Sequence, residues 1–418
     1  MLSVKYINEN INLVKECIKY KKCDINIDDI LSLDLERKSL INKVEKLKAN
    51  RNQINKQISK NRTDKSIDIT TLISNMKELS AEIKNLDKSL LSINNSLNNQ
   101  LLYIPNIIHK TTPKGSVNDN IVIKEWGKKP EFDFEIKDHK DLCDLNSLVD
   151  FKRAANISGS GFPLYTNNGA KLERSLINFM LDIHSKNGYT ELFPPFLVNA
   201  NSPKTTGNLP KFSEDMYYVN KDDLYCIPTA EVPITNMHLN EILDDSDLPK
   251  KYVAYSACFR REAGSYGKDT KGLLRLHQFN KVELVKFVKP EDSYVELESL
   301  LKDAESILQK LNLHYRIIAL ASGDLSFSAA KCYDIEVWSP FEKKYLEVSS
   351  CSNFESFQAS RGNIKFRNKN TNKLEFLHTL NGSGLATPRL MIAILETFQD
   401  KNGRIEIPSI LKKYINYE

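Results

Sequence analysis

Hydrophobic residues recur every three or four positions through residues 28–102, a stretch that contains neither proline nor glycine. In its second half the spacing alternates strictly between three and four, which is typical of the buried seam of a coiled coil. The first half follows the same period, with Arg51 at one seam position. Residues 60–65, between the halves, are polar and show no such period. We therefore predict two helices that form an antiparallel hairpin. The seam residues are Leu40, Val44, Leu47, Ile54 and Ile58, followed by Ile69, Leu72, Met76, Leu79, Ile83, Leu86, Leu90, Ile93 and Leu97.

The pattern changes after this helical region. Proline and glycine return in residues 103–115, and the helical period stops, so we interpret this segment as a linker. Mixed strands and helices follow it. The sequence therefore predicts an N-terminal domain at 1–102, whose arm spans about 28–102, and a second, α+β domain at 116–418.

A helix and a short strand are predicted early in the second domain. Residues 169–187 carry apolar side chains at helical spacing, and Gly188 is suited to end the helix. Residues 189–196 then form a short strand that ends in Pro194 and Pro195.

Residues 253–288 contain two apolar, β-prone runs around a polar loop with glycines, which predicts an antiparallel hairpin. Guanidinium groups bind phosphate, aromatic rings stack on purines, and carboxylates bind ammonium or hydroxyl groups, so the hairpin fits ATP and a small polar substrate. A surface hairpin with salt bridges is the alternative. Because side chains alternate along strands, two groups should each share a face: Arg260 with Glu262, and Phe279 with Lys281 and Glu283.

Two further segments carry polar side chains that could bind ligands. Residues 227–233 are predicted to be extended and stiffened by prolines, so that Thr229 and Glu231 lie on one side and bracket an ammonium group. In residues 345–353, Glu347, Ser349 and Ser350 offer the oxygen donors that Mg²⁺ prefers. Either segment alone could equally be an ordinary polar loop or strand edge.

Residues 376–398 predict a strand, a glycine-rich turn at 381–386 and a helix. Thr387 is suited to the N-cap and Pro388 to the first helical position. Arg389 would then lie in the first turn, where the helix dipole favours anions, and such a conflict hints at a functional role. An arginine in contact with solvent is the alternative.

Composition narrows the class of protein. The 418 residues are 41% hydrophobic and 27% charged, with a net charge of +5, as is ordinary for a globular protein. None of the seven cysteines forms a C-x-x-C pair, so we expect no zinc site, no disulfide framework and a reducing, cytoplasmic setting. We also expect no membrane span and no presequence, because no long apolar run occurs and the N-terminus lacks a signal core.

Charge is unevenly distributed along the predicted arm. Residues 36–65 contain ten Lys/Arg and three Asp/Glu, a net charge of +7, whereas residues 66–102 have a net charge of −1. A basic helix on a projecting hairpin suggests contact with a phosphate backbone. The alternatives are a solvated coiled-coil face or a rod that binds protein.

Taken together, the segment from Phe259 to Glu283 resembles motif 2 of a class II aminoacyl-tRNA synthetase, and its ending, His-Gln-Phe-x-Lys-Val-Glu, is similar to that of seryl-tRNA synthetases. The resemblance implies an antiparallel-sheet catalytic domain with an N-terminal coiled-coil arm, and a homodimer formed through residues 169–196. It implies ATP-dependent ligation of L-serine to serine tRNA through a seryl-adenylate, with the arm holding the long variable region. It leaves open whether selenocysteine tRNA is also a substrate. Pro388 departs from the family, which usually has glycine there.

The resemblance also assigns roles to individual residues. Arg260 and Arg389 would be the catalytic cations, and Glu347 and Ser350 would hold Mg²⁺ together with ATP. The serine site would comprise Thr229, Ala230, Glu231, Arg260, Glu283 and Ser383, and the ATP site Arg260, Arg261, Glu262, Leu276, Phe279, Glu347, Val348, Ser349, Ser350 and Arg389.

Three other classes fit parts of the sequence. A relative that loads an amino acid onto a carrier protein would lack a long basic arm, and a threonine- or proline-specific synthetase would differ in the His-Gln-Phe-x-Lys-Val-Glu string. A coiled-coil scaffold with a degenerate enzyme domain is disfavoured because Arg260, Glu262, Glu283 and Arg389 are intact.

Overall fold

The computed structural model describes residues 1–61, 70–262 and 271–415, and these form two compact units. One unit comprises Leu2–Lys19 and Cys23–Ile104, and the other comprises Met1, Tyr20–Lys22 and the chain from Pro105 onward.

The N-terminal unit is helical. Its helices are α1 (Val4–Glu9), α2 (Ile11–Tyr20), α3 (Ile27–Asn61) and α4 (Thr70–Leu101). Helices α3 and α4 have 35 and 32 residues, so each is roughly 50 Å long at about 1.5 Å per residue.

The two long helices pack against each other as the predicted antiparallel hairpin. The described seam positions are buried or half-buried, whereas most other positions of both helices are exposed. Ion pairs cross between the helices from Lys43 to Glu82 at 2.9 Å and from Lys48 to Asp87 at 3.3 Å. The prediction of a coiled-coil arm is thus confirmed, while Ile69 and most of the polar stretch between the helices lie outside the described residues.

The second unit is built on an eight-stranded sheet with the order β1-β9-β10-β11-β14-β8-β7-β2. Every neighbouring pair is antiparallel except β2 and β7. Two three-stranded sheets, β13-β12-β6 and β3-β5-β4, lie beside it. The strands are β1 (Ile121–Trp126), β2 (Thr190–Leu192), β3 (Leu197–Asn199), β4 (Tyr218–Val219), β5 (Leu224–Cys226), β6 (Ile242–Asp244), β7 (Lys250–Phe259), β8 (Gln278–Val288), β9 (Tyr315–Ala319), β10 (Lys331–Ser339), β11 (Lys344–Asn353), β12 (Lys365–Arg367), β13 (Leu374–Phe376) and β14 (His378–Ala386).

Helices cover one face of the large sheet. Apolar side chains of α7, α10 and α12 form the main core with strand residues such as Val282 and Leu284. Since side chains alternate along β8, the intervening Lys281 and Glu283 lie on the opposite face, where the candidate site is found. The helices of this unit are α5 (His139–Leu145), α6 (Phe151–Ser158), α7 (Asn167–Lys186), α8 (Asn201–Thr206), α9 (Glu231–Asn236), α10 (Ser293–Lys310), α11 (Phe357–Arg361) and α12 (Thr387–Thr397).

The predicted helix at 169–187 and the predicted hairpin are both present, as α7 and as β7 paired with β8. The predicted strand at 189–196 is shorter than expected, because only β2 pairs with a neighbour. The segment 227–233 was predicted to be extended, and this is wrong, because α9 begins at Glu231.

The glycine-rich turn predicted at 381–386 is also wrong, because these residues continue strand β14. The glycines allow close packing instead: a Cβ on Gly382 would lie 2.9 Å from the Cys351 sulfur, and one on Gly384 would lie 2.6 Å from His184 Nε2. Thr387 is the first helical residue rather than the N-cap, and Pro388 follows it. Arg389 lies in the first turn, as predicted.

Candidate active site

One cavity of about 660 Å³ opens on the sheet face that the core helices leave uncovered. Strands β8, β11 and β14, the residues just after β7 and the start of α12 contribute to its wall. Eleven of the predicted site residues line it: Thr229, Glu231, Arg260, Glu262, Leu276, Phe279, Glu347, Val348, Ser350, Ser383 and Arg389.

Arg260 and Phe279 form a cation–aromatic pair in the cavity wall. The Arg260 guanidinium carbon lies 5.1 Å from the centre of the Phe279 ring, and its Nε donates a hydrogen bond to the Pro228 carbonyl at 3.4 Å. Strand alternation does not place Arg260 and Glu262 together as predicted, because β7 ends at Phe259 and Glu262 has a left-handed φ of 52°. Both nevertheless line the cavity.

Arg389 projects from the first turn of α12 against strand β11 and the segment that leads into β8. Its Nη1 donates to the Glu347 carbonyl at 2.9 Å, and its Nε donates to the Leu274 carbonyl at 3.4 Å. Nearby, Arg275 and Glu262 form a short ion pair. About a third of each arginine side chain is exposed, so this end of the cavity presents cations in contact with water.

Strand β11 supplies oxygen donors beside these cations. Glu347 and Ser350 both line the cavity, and Ser350 Oγ lies 3.0 Å from the Cys332 sulfur. The strand pairing shifts at Val348, where an extra residue interrupts the alternation. The side chain of Ser349 is buried and donates to the Ser383 carbonyl at 2.6 Å, so it does not line the cavity with Glu347, Val348 and Ser350.

The other end of the cavity contains two buried carboxylates joined by one amide. Asn381 Nδ2 donates to Glu231 Oε2 at 2.9 Å and to Glu283 Oε1 at 2.8 Å. Gln358 donates to Glu231 Oε1 at 2.6 Å and itself accepts from Thr379 at 2.7 Å. Each carboxylate is therefore held in a fixed orientation.

Electrostatics at this end depend on burial. Burial and the neighbouring Glu283 carboxylate raise the pKa of Glu231 to about 7. Lys281 Nζ lies 2.6 Å from Glu283 Oε2, so one carboxylate has a cation beside it. Thr229 and Ser383 complete the wall with hydroxyl groups, and both residues are buried. The pocket therefore suits a small ligand with an ammonium and a hydroxyl group.

Three more predicted residues do not line the cavity directly. Glu283 lies behind Asn381 and Lys281 and is fully buried. Ala230 is also fully buried, and the backbone N–H of Arg261 donates to the Asp215 carbonyl. Among these, only Glu283 touches the polar groups of the pocket.

Three residues that complete the pocket were not predicted from the sequence to have a role there. Lys281 was placed on the right face but given no role, and its spacing of two from Phe279 and Glu283 was the available signal. Asn381 was hidden in a segment predicted to be a turn. Gln358 acts from α11, about 127 residues from Glu231 in sequence, and no local pattern points to it.

No helix in the described part of the chain is long and apolar enough to cross a membrane. Within the same residues, no group of three His, Cys, Asp or Glu side chains could hold a metal ion. A cation at Glu347 and Ser350 would thus need further oxygen ligands from water or from a bound phosphate, which is how Mg²⁺ is usually held.

The chain is similar to known proteins over its whole length. Residues 1–108 match the family model of the seryl-tRNA synthetase N-terminal domain, and residues 214–398 match the class II tRNA synthetase core domain of the Gly, His, Pro, Ser and Thr enzymes. The serine–tRNA ligase of Chloroherpeton thalassium is 53% identical, covering 100% of this chain and 99% of that protein. That of Syntrophobacter fumaroxidans is 51% identical, with coverages of 99% and 98%.

Solved structures agree with these matches. The crystal structure of a seryl-tRNA synthetase from Pyrococcus horikoshii complexed with ATP superposes with a TM-score of 0.92 at 37% identity, over 100% of this chain and 99% of the other. A cytoplasmic serine–tRNA ligase from Naegleria fowleri in complex with AMP gives a TM-score of 0.84 at 27% identity, over 99% and 97%. The predicted class II fold with an N-terminal helical arm is therefore confirmed.

Proposed function

The chain belongs to the seryl-tRNA synthetase family, and from this premise we propose that it ligates L-serine to serine tRNA at the expense of ATP. The observation that carries the proposal is that one cavity contains two different kinds of binding surface. A buried pocket of carboxylates and hydroxyls lies at one end, and a wall of arginines with an aromatic ring lies at the other.

In the first step, the carboxylate oxygen of serine attacks the α-phosphorus of ATP, and the bond to pyrophosphate breaks. Arg260 neutralises charge at the α-phosphate, and Arg389 neutralises charge at the leaving phosphates. Phe279 stacks against the adenine. Catalysis here is mainly positioning and charge neutralisation, since no side chain needs to form a covalent intermediate.

In the second step, a terminal ribose hydroxyl of the tRNA attacks the carbonyl carbon of seryl-adenylate, and AMP leaves. Glu231, Thr229 and Ser383 contact the serine ammonium and hydroxyl through both steps, and Glu283 acts from behind them by fixing Asn381 and Lys281. Because the pocket hydrogen-bonds a hydroxyl, alanine would leave buried polar groups unpaired, and we expect rejection by roughly 10⁴-fold.

Glu347 and Ser350 are the residues that would hold Mg²⁺ with ATP. The carboxylate and hydroxyl are hard oxygen donors on the same strand, and both line the cavity next to Arg389. When bound, the ion would supply additional positive charge to the phosphates. Glu347→Gln should therefore raise the Mg²⁺ concentration needed for half-maximal activity.

The direct test is amino-acid-dependent ATP–pyrophosphate exchange with all twenty amino acids and no tRNA. Exchange with serine alone is the expected result. Exchange with threonine or proline instead would overturn the specificity, and no exchange from folded protein would favour the scaffold alternative or a disabling effect of Pro388.

We further propose that the α3–α4 hairpin holds the tRNA through the basic α3. Deleting residues 30–100 should leave serine-dependent exchange intact and abolish charging of serine tRNA. A finer test replaces Lys46, Lys56 and Lys60 of α3 with alanine, and a matched control replaces Lys77, Lys84 and Lys88 of α4. Only the α3 variant should raise the KM for tRNA and reduce its salt dependence. Equal effects would argue against a basic tRNA-binding face.

Several companion proposals follow from family membership. We propose a homodimer formed through α7 and β2, to be tested by sedimentation. We also propose a cytoplasmic location, which the seven free cysteines support. Selenocysteine tRNA should be offered beside serine tRNA in the charging assay, because the site residues described above recognise the amino acid and the nucleotide and do not distinguish one tRNA from another.

A further inference from the structure

Two consecutive residues at the start of α5 hold the segment that leads into β8. The Asp138 carboxylate forms a short ion pair with Lys271. The backbone N–H of Leu273 donates to His139 Nε2 at 3.2 Å. Between these contacts, Gly272 has a φ of 60°, and a Cβ there would lie 2.3 Å from His139 Nε2. The approach is so close that it requires glycine at this position.

His139 is itself fixed from behind. A backbone N–H can only donate, so Nε2 of His139 is the acceptor and Nδ1 carries the ring proton. Nδ1 faces Glu396 Oε1 at 3.4 Å, and both side chains are fully buried. Glu396 Oε2 also accepts from Ser339 Oγ and from the backbone N–H of Phe341. The imidazole is thus locked in one tautomer and one orientation.

The opposite side of the same segment faces the cavity. The Leu274 carbonyl accepts from Arg389 Nε, and Arg275 pairs with Glu262. Residues 271–275 are therefore held on one side by Asp138 and His139, contacts that we call the grip, and bonded on the other side to Arg389 and Glu262. Arg389 and Glu396 both belong to α12, so one helix connects the two sides of the grip.

We propose that Asp138 and His139 are positioning residues that align Arg389 with the phosphates of ATP through residues 271–275. This inference rests on the proposed function, because it takes ATP as the ligand that binds beside Arg389. The serine pocket has no member on this segment, because Glu231, Asn381 and Glu283 come from α9, β14 and β8. Loss of the grip should therefore weaken ATP binding selectively.

The test compares two substitutions of His139. His139→Asn keeps an N–H for Glu396 and removes the acceptor for the Leu273 N–H, whereas His139→Gln places an oxygen acceptor at the reach of Nε2. An unsatisfied buried N–H is costly, so His139→Asn should raise the ATP Kd about tenfold. The KM for serine at saturating ATP should stay within about twofold, and His139→Gln should restore most of the ATP affinity.

His238 provides a matched control. Its Nδ1 lies 2.7 Å from Glu241 Oε2 and its Nε2 lies 3.0 Å from the Tyr252 hydroxyl, so it too bridges a carboxylate and a second polar group. It is not among the residues that line the cavity. His238→Asn should lower the melting temperature and leave the ATP Kd unchanged.

The ATP Kd should be measured by direct titration, which needs no amino acid. If the unmodified protein binds ATP but shows no serine-dependent exchange, the proposed function fails, while the variants still test the grip. An unchanged ATP Kd in folded His139→Asn would overturn the inference, as would a parallel rise in ATP Kd and serine KM. If that variant does not fold, Lys271→Ala removes the ion pair to Asp138 from a side chain that is 54% exposed, and an unchanged ATP Kd there would overturn the inference equally.

Discussion

The two ends of the cavity hold their polar groups by opposite means, and we call them the serine end and the phosphate end after the ligands proposed for them. At the serine end, Glu283 is 0% and Glu231 8% exposed, and neutral amides of Asn381 and Gln358 fix both carboxylates. At the phosphate end, the Arg389 side chain is 32% exposed and bonds mainly to backbone carbonyls.

Because of this difference, the buried end should be selective for its ligand, and the exposed end should attract anions in general. A buried, prearranged polar pocket penalises any ligand that fails to satisfy it, because an unpaired buried group costs more than a made hydrogen bond gains. Exposed cations attract any polyphosphate and are screened by water and salt. The serine end should therefore determine which amino acid reacts, and the phosphate end should determine how strongly ATP binds.

The largest expected effect comes from removing a buried carboxylate. Glu283→Ala deletes the acceptor for Asn381 and the partner of Lys281, leaving a buried cation and a buried amide without it. We expect kcat/KM for serine in pyrophosphate exchange to fall by about 10³-fold. The ATP Kd should change by less than about threefold, because the two ends are bonded separately.

Circular dichroism and a melting curve provide the control that Glu283→Ala remains folded. Serine activation at the unmodified rate would remove Glu283 from the site. A tenfold or larger loss of ATP affinity in the same protein would show instead that the two ends are coupled.

The second-largest expected effect is at the phosphate end of the cavity. Arg389→Ala should lower kcat/KM for ATP by about 10²-fold, since removing one preorganised donor to developing charge typically costs that much. Arg389→Lys should recover only part of it, because an ammonium cannot bond the Glu347 and Leu274 carbonyls in the same planar arrangement. Full activity in Arg389→Lys would show that charge alone matters, and a raised serine KM would contradict the separation.

The difference between the two ends also explains which parts of the site could be predicted from the sequence. Periodic patterns predicted the arm, α7 and the β7–β8 hairpin, because each depends on local repeats that bury one face. Arg260 and Phe279, which lie beside and within that hairpin, could be assigned to the site from the sequence, and both line the cavity. The exposed phosphate end was therefore largely predictable.

The buried serine end was less predictable, because its geometry depends on contacts distant in sequence. Gln358 and Thr379 orient Glu231 from other elements, and nothing near residue 231 in the sequence indicates them. Residues 381–386 contain the glycines of a typical turn, yet Cys351 and His184 pack so closely that glycine is needed inside a strand. Local propensity was overridden there by tertiary packing.

Acidity should affect the two ends differently. Because the pKa of Glu231 is raised to about 7, the carboxylate gains a proton as the pH falls below that value, and a neutral carboxyl attracts an ammonium group weakly. The KM for serine at saturating ATP should rise about tenfold from pH 8 to pH 6. Glu231→Gln should bind serine weakly at both pH values and lose the dependence. A pH-independent KM in the unmodified protein would mean that Glu231 does not titrate against serine.

Salt should produce the smallest effect and affect only the exposed end. Raising the ionic strength from about 0.1 M to about 1 M shortens the Debye length from about 10 Å to about 3 Å. Because the Arg275 and Arg389 side chains are 31% and 32% exposed, we expect the ATP Kd to rise about threefold over this range. The serine KM should hold constant, since Glu283 is fully buried and its partners exclude water. Arg389→Ala should show a weaker salt dependence of ATP binding than the unmodified protein, and a serine KM that rises in step with the ATP Kd would mean that the serine pocket is open to solvent after all.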